Sequence, residues 1–426
     1  MIIKVFTTLR THWKKSIFFT ACGLYASKYA IKWHKEDQLM REYCLKAREI
    51  GRQTISASER PRKVIVFLNP AAKNGKTKYL LEKHVLPLLH LAGIEIHVVR
   101  TEHEGQAKEY MGVLDKNIVD AIVVAGGDGT LSEIVTGLLR RGDEIAQRLP
   151  IGVLPFGSNN NFATRIFPKR ELEVERYCEA SMAIIANKYT LADVIEVEQT
   201  APSAQEISSE SEEGSKEGNK NVYVLSDLKW GVHSDVDRLK SKYWYFPGPL
   251  KEYYCYLKKV LFSDWPIDVQ ASAELSPPCD GCRNCYTPKE SEVKPKPEKS
   301  VWWWPTDHRK ASPPTKPDPR LQINNPECGE TYRKEISSPQ FNIATVPKQD
   351  SECQAAALEV TVSPPTSKSQ LLTERLSSLH SESLLVSSIH LEPKTENPCY
   401  LMDNEKFEVM PAKFTLLRDK IKIFKS

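Results

Sequence analysis

Several things are scarce in this sequence, and each scarcity removes a class of protein. A formal net charge of only +4 over 426 residues, with no basic patch interleaved with aromatics, argues against a dedicated nucleic-acid binder. Ten cysteines are scattered without a dense framework, which excludes a small scaffold stapled by disulfides. The apolar stretch at residues 17–26 is shorter than the roughly 20 residues that a spanning helix requires, unless Tyr29 and Ile31 extend it and Lys28 snorkels. Acidic residues are missing altogether from the first 35 positions.

What is present begins with a phosphate-type turn. A β-rich apolar run, 118–125, reads as a buried parallel strand; it stops at Gly126 and Gly127, and residues 131–140 then show helical spacing. In such a strand, turn and helix, Gly126, Gly127 and Gly129 permit positive φ and leave no Cβ between backbone N–H groups and an anion. The helix start points its positive end at the same place. Asp128 would repel a bare phosphate, so it makes sense there if it holds Mg²⁺ or handles a proton. Gly126-Gly-Asp-Gly-Thr130, followed by Glu133, resembles the nucleotide-binding motif of the diacylglycerol kinase catalytic-domain family, which includes sphingosine and ceramide kinases. NAD kinases and 6-phosphofructokinases share the glycine motif more distantly, so alone it implies phosphoryl transfer from a nucleotide without naming the acceptor.

Other segments extend the pattern. Residues 63–68 form a β-rich run ending at Asn69-Pro70 and Gly75, with a helix expected over 77–91. This resembles the Asn-Pro-x-x-Gly opening of the family, with one extra residue and with Lys73 or Asn74 where the family favours Ser. A further strand at 94–99 leads to Thr101, a candidate nucleotide contact by resemblance and equally a helix cap. The short strand at 150–155 leads to Phe156-Gly157-Ser158-Asn159-Asn160-Asn161-Phe162-Ala163, similar to the family's Pro-Leu-Gly-Thr-x-Asn-Asp-Phe-Ala segment. Ser158 keeps the hydroxyl of the family's Thr, while Asn161 loses the charge of its Asp. Strands alternating with helices describe a parallel sheet covered on both faces, with the site at its carboxyl edge.

The remainder reads differently. Residues 189–197 begin a β-rich part in which Asp193 matches a position that the resemblance places near the lipid acceptor; a strand-edge Asp accounts for it equally. Residues 203–220 and 274–366 have the composition of poorly packed insertions. Within the second, Cys279, Cys282 and Cys285 have metal-like spacing, one ligand short of tetrahedral zinc, with Cys328 or His308 as conceivable fourths; a redox-active or incidental cysteine cluster is the reading preferred over zinc. Trp302, Trp303 and Trp304 are a candidate membrane contact. Near the end, Asp403-Asn404-Glu405 resembles the lipid kinases' Asp-Gly-Glu, which lies close to acceptor hydroxyl and metal. A surface hairpin turn is the alternative. This acidic pair favours a lipid kinase over an NAD kinase.

The expectation is therefore an α/β nucleotide-binding domain with a parallel sheet, followed by an all-β lipid-binding domain. Residues 1–60 would be a targeting or membrane-attachment segment and polar spacer, 61–190 the nucleotide-binding domain and 191–426 the β-rich acceptor domain. The basic, acid-free start is similar to a mitochondrial targeting segment; a secretory signal and an ordinary amphipathic helix are its rivals. The resemblance to the mitochondrial acylglycerol-phosphorylating branch implies ATP as phosphoryl donor, Mg²⁺, and monoacylglycerol and diacylglycerol as acceptors. It also implies attachment to the mitochondrial inner membrane facing the intermembrane space, and a partnership with the carrier translocase there. Its site would place Asn69, Gly75, Thr101, Gly126, Gly127, Gly129, Thr130, Glu133, Gly157, Ser158 and Asn160 on nucleotide. Asp128 would serve Mg²⁺-linked catalysis, Asp403 would be the base, and Glu405 would orient metal or acceptor. Sphingosine or ceramide, a small polar metabolite, or a scaffold role with an incidental kinase fold are the competing readings.

Overall fold

The computed structural model describes residues 13–53, 60–115, 118–142, 149–158, 160–199, 221–243, 245–246, 248–263, 265, 267–279, 282, 325–326, 328–346, 357–373, 381–394 and 399–425. Four strands, β1 (Lys63–Leu68), β2 (Glu95–Arg100), β3 (Ala121–Gly126) and β4 (Ile151–Pro155), run parallel in the order β2-β1-β3-β4. Their alternation builds two cores. Ile65, Phe67, Ile122, Val124, Ile151 and Val153 face one side, and Val64, Val66, Leu68, Val123, Ala125 and Leu154 the other.

The first face is covered by α4 (Gln106–Val113) and α5 (Asp128–Arg140), which contribute Met111, Leu131, Ile134, Val135 and Leu138. The second is covered by α1 (Trp13–Gly51), α2 (Thr77–Leu80), α3 (Leu86–Leu91) and α7 (Glu173–Ala186). The helix expected over 77–91 is broken by a π-turn at Leu81–Val85. Pro87 has no N–H to offer the carbonyl four residues earlier, so the hydrogen-bond register widens before it. A short α6 (Asn161–Ile166) follows β4.

Beyond α7 the chain becomes mainly β. The strands β5 (Tyr189–Gln199), β6 (Val222–Val224), β8 (Val269–Ser276), β9 (Tyr332–Ser338), β13 (Ser388–Pro393) and β16 (Ala412–Phe424) join the first sheet through β16, which pairs with β5 and β13 and touches β4 at Ile423. A second sheet, antiparallel throughout, has the order β12-β11-β10-β7-β14-β15. It contains β7 (Asp227–Gly231), β10 (Gln340–Thr345), β11 (Leu358–Val362), β12 (Glu382–Val386), β14 (Tyr400–Met402) and β15 (Glu405–Phe407). The two sheets enclose Trp230, Phe341, Tyr400 and Phe414, whose rings meet edge to face. Helices α8 (Val232–Lys242), α9 (Gly248–Phe262) and α10 (Lys368–Thr373) form a separate small core that includes Val232, Cys255 and Leu371.

Three expectations need correction. Residues 332–345 and 358–362 are not insertion: they are β9, β10 and β11, and Ile336, Phe341, Ile343, Leu358 and Val360 point into the sandwich core. Their alternation was hidden by the polar residues on the other face of each strand. Residues 203–220 and 283–324, the latter including Cys285, His308 and the three tryptophans, lie outside the described residues. In sequence, 414–417 and 421–424 read as separate strands; they form one strand, β16, broken only by a bulge where Asp419 takes φ 51°.

Nor is the segment after residue 35 a spacer. In α1, Leu39, Met40, Tyr43, Cys44, Ala47 and Ile50 recur at helical spacing and pack on the second face, with Ala47 fully buried. N-terminal to these, Trp13, Ile17, Phe18, Leu24, Tyr25, Tyr29, Ile31 and Trp33 are each more than half exposed. Among the described residues no helix is long and apolar enough to cross a membrane. Deleting residues 1–35 therefore removes exposed surface and spares the packed half of α1. The truncated protein should fold but fail to co-sediment with anionic lipid vesicles that pellet the full chain; undiminished pelleting would show that the attachment lies elsewhere.

Candidate functional site

The carboxyl ends of the four parallel strands hold most of the residues singled out from the sequence. Asn69 follows β1, Thr101 follows β2, Gly127 and Asp128 follow β3, and Gly157 follows β4. The strand order puts a topological switch point between β1 and β3, the place where open α/β sheets leave a crevice. There the Asn69 amide donates to the Thr130 hydroxyl (3.0 Å), and the Asn69 backbone N–H donates to the Ala125 carbonyl. The loop after β1 turns through three left-handed residues, Lys73, Asn74 and Gly75 (φ 51°, 55° and 78°), with the Lys73 ammonium 3.0 Å from both Glu173 oxygens. Thr101 donates to the Leu68 carbonyl through its backbone N–H (3.0 Å) and more weakly through its hydroxyl. The Asn160 side chain closes the next turn by accepting from the Gly157 N–H and donating to the Gly157 carbonyl, and Ser158 is left exposed.

Asp128 is buried at the start of α5. Its carboxylate accepts the backbone N–H groups of Asn161 (2.6 Å) and Phe162 (3.3 Å), tying the glycine turn to the first turn of α6. Burial pushes its carboxyl up to about 6; the two N–H groups and Lys229 oppose that rise and Asp227 adds to it. Glu133, one turn further along α5, is also raised by burial while its carboxylate accepts backbone N–H groups of Gly105 and Ala107 at the start of α4. That makes it a brace between two helices.

The C-terminal acids come back to this edge. Asp403 and Asn404 form the two-residue loop between β14 and β15, and their φ values of 48° and 69° are those of a type I′ turn. Asn404 thus meets the left-handed requirement that glycine would meet, and its buried amide nitrogen finds no acceptor among the described residues. Asp403 is completely buried, and its two oxygens accept the N–H groups of Leu225 and Ser226, each at 2.7 Å. Its own N–H donates to the Asp227 carbonyl (3.0 Å). Burial raises its carboxyl to about 7 despite those bonds, with Asp128 and Asp227 adding to the rise.

Glu405 reaches the glycine turn itself. A Cβ placed on Gly129 would lie 2.7 Å from the Glu405 Oε1, so position 129 tolerates no side chain while Glu405 stands there. Burial first, then Glu133, Asp403 and Glu104, push Glu405 up to about 8, against Lys108. The structure therefore brings together Asn69, Gly126, Asp128, Gly129, Thr130, Glu133, Asp403 and Glu405. Asp193 is placed otherwise: its Oδ1 accepts the Asp419 N–H at the β16 bulge, in a cleft of about 510 Å³ lined by Phe162, Arg165 and Thr345.

Sequence reasoning missed Asp227, Lys229 and Arg165. Asp227 and Lys229 pair at 3.2 Å beside Asp403, and the Arg165 guanidinium donates to the Thr345 hydroxyl (2.8 Å) and the Ser226 carbonyl (3.3 Å). The charged Asp227 and Lys229 alternate with apolar Leu228 and Trp230, a pattern that marks a strand and nothing of its function.

The donor set fits Mg²⁺. Carboxylate oxygens are the ligands a hard cation prefers, and Asp128 and Glu405, raised first by burial and then by neighbouring acids, supply them here. No three carboxylates converge on one point among the described residues, which suits a cation that takes one or two carboxylates and completes its shell with phosphate and water.

Comparison with known proteins identifies the relatives of this chain. Residues 63–197 match the diacylglycerol kinase catalytic domain and residues 225–426 the acylglycerol kinase C-terminal region. The mitochondrial acylglycerol kinase of Xenopus laevis is 33% identical over 99% of this chain and 94% of its own length, and that of Homo sapiens 32% identical over 98% and 96%. Sphingosine kinase 2 of Arabidopsis thaliana is 28% identical over 52% of this chain and 42% of its own. A putative diacylglycerol kinase from Bacillus anthracis shares the fold, with a TM-score of 0.52 at 17% identity over 87% of this chain and 99% of that one. With this similarity running almost end to end, the chain belongs to the acylglycerol kinase family of lipid kinases.

Proposed function

We propose that this ATP-dependent lipid kinase transfers the γ-phosphoryl group of ATP to a free glycerol hydroxyl, converting monoacylglycerol to lysophosphatidic acid and diacylglycerol to phosphatidic acid. The observation that carries this reading is Glu405 seated against Gly129, which sets a carboxylate from the chain's end at the phosphate-type turn. The backbone N–H groups around residues 126–130 would hold phosphate oxygens, with Asn69 fixing Thr130 and Asn160 fixing the Gly157 turn. Asp128 would hold Mg²⁺, which neutralises phosphate charge when bound.

The base is better assigned to Glu405 than to Asp403. Asp403 has no exposure and both of its oxygens are engaged by backbone N–H groups, so it positions the hairpin. Glu405 is anchored less tightly and has a proton affinity near neutrality, as suits a group that takes a hydroxyl proton. We place the enzyme in the mitochondrion, at the inner membrane and facing the intermembrane space. The exposed apolar and basic residues of α1 support membrane contact, the mitochondrial relatives support the organelle, and a carrier-translocase partnership rests on the resemblance alone.

Asp128→Asn should fold and lose more than about nine-tenths of its transfer to monoacylglycerol in mixed micelles, because loss of the charge should cost over about 1.4 kcal/mol in the transition state. Glu405→Gln should lower kcat by about 10²–10⁴ while nucleotide binding by calorimetry is retained. A Glu405→Gln enzyme with the wild-type rate would return the proton to another acceptor. Asp403→Asn is a poorer probe: an amide must set its NH₂ against a backbone N–H, so a loss of about 1–3 kcal/mol of stability is expected first.

The same carboxyls predict an inverted pH response. Asp128, Asp403 and Glu405 have folded values of about 6, 7 and 8, above the ordinary 3.8, 3.8 and 4.5. The folded state thus binds protons more tightly than the unfolded one, and the stabilisation is complete below about pH 4 and lost as pH rises through about 6 to 8. Scanning calorimetry of the nucleotide- and metal-free protein should show Tm falling between about pH 6 and pH 8. A Tm that rises over that window would mean that these groups are ionised and solvated in the folded state.

A further inference from the structure

The structure contains a second cluster of ligand-type side chains, remote in sequence from both glycine turns. Cys279 and Cys282 follow the end of β8, and Cys328 precedes the start of β9. Their three sulfurs lie within 4.8 Å of one another, and they are the one group of three or more potential metal ligands that converges among the described residues. Cys282 is completely buried, while Cys279 and Cys328 are half-buried.

Around this cluster the backbone is fixed. The Arg418 guanidinium donates to the Cys279 carbonyl (2.6 Å), the Ser387 hydroxyl donates to the Pro277 carbonyl (3.1 Å), and the Cys328 N–H closes a turn on the Asn325 carbonyl. The Cys279 segment is thus anchored to β13 and β16, and Cys328 sits in a closed turn just ahead of the β8–β9 pair, whose last matched residues are Leu275 and Tyr332. Tetrahedral zinc with Zn–S bonds of about 2.3 Å sets its sulfurs about 3.8 Å apart, a small closure from the spacing present.

We infer that Cys279, Cys282 and Cys328 form a structural zinc site that clamps the end of the β8–β9 pair. Three thiols lose their protons to solvent as the cation binds, giving three thiolate ligands; no electron is transferred. The fourth tetrahedral position lies on the half-buried side of the cluster and is filled by a further donor or by water. The site has a mechanical purpose. Roughly 45 residues separate Cys282 from Cys328, and β9 is the last strand of the ten-stranded sheet. A clip across the ends of so long a connection offsets its closure entropy and keeps an edge strand from peeling away.

The test uses the full-length chain, purified reducing and without chelator. Elemental analysis should give about one zinc per chain, and exchange into Co²⁺ should produce the intense thiolate-to-metal and tetrahedral d–d absorption bands of a sulfur-rich site. Cys282→Ser and Cys328→Ser should each weaken zinc retention at least 10-fold against a competing chelator, whereas Asp128→Asn should keep its zinc. Should the serine variants fail to fold, the Co²⁺ spectrum of the unaltered chain decides alone. Absence of stoichiometric zinc together with a featureless Co²⁺ spectrum would overturn the inference. So would an intact mass showing two of these cysteines joined in a disulfide, or serine variants that hold zinc as tightly as the parent.

Discussion

The fold turns on one carboxylate. Asp403 is taken wholly out of water, and an ionised carboxyl in that position is tolerable only because two backbone N–H groups at the β6–β7 corner meet its two oxygens. Those bonds connect the penultimate hairpin to the middle of the chain. The corner is held in turn by Arg165 of α6, and the first turn of α6 is held by Asp128 at the start of α5. Charge-assisted hydrogen bonds, joined through the short helix α6, thus link residues 128, 161, 165, 226 and 403. Neither sheet alone could place Glu405 at Gly129; the linkage between them does.

This explains why so many acids share one edge of the molecule. Burial first, and then the nearness of Asp128, Asp227, Glu133, Asp403 and Glu405 to one another, raises the proton affinity of several of them, an electrostatic cost that a purely structural corner would not need. Partial relief comes from Lys229 and Lys108 and from helix-end N–H groups. The remaining excess of negative charge is a standing attraction for a divalent cation, and Asn404 adds a buried donor with no acceptor beside it. An active site of a phosphotransferase has use for both.

How legible this was depended on range. The glycine turn, Asn69, Thr101 and the Gly157 turn were readable because each lies within a local strand, turn and helix, where periodicity and turn chemistry act over a few residues. The four-stranded parallel core followed from the same signal. Glu405 was found through a three-residue resemblance, yet its contact with Gly129 depends on strand pairings across more than half the chain. Asp227, Lys229 and Arg165 had no local signature of function: on one strand and one short helix they look like ordinary surface charges, and only the corner that they share gives them a task. The packed stripe of α1 was hidden for a related reason. Leu39, Met40, Tyr43, Cys44 and Ala47 are spaced among charged residues, and the mean composition of the segment masked their periodicity.

The single strand β16 shows why the nucleotide and acceptor parts cannot act as independent modules. It pairs with β5 and β13 over most of its length, and near its end Ile423 pairs with Ile151 of β4 while Phe424 enters the core behind the parallel sheet. Its bulge at residues 417–421 lets one strand serve both layers by changing direction without losing either set of partners. A movement that opened the acceptor half from the nucleotide half would have to part Ile423 from Ile151 and draw Phe424 out of the core behind the parallel sheet. Local change at the sheet edge is less costly, and there the hairpin that carries Glu405 is short, with β15 at the edge of its sheet and β14 held by its pairing with β7, by Tyr400 and Met402 in the core and by the Asp403 carboxylate.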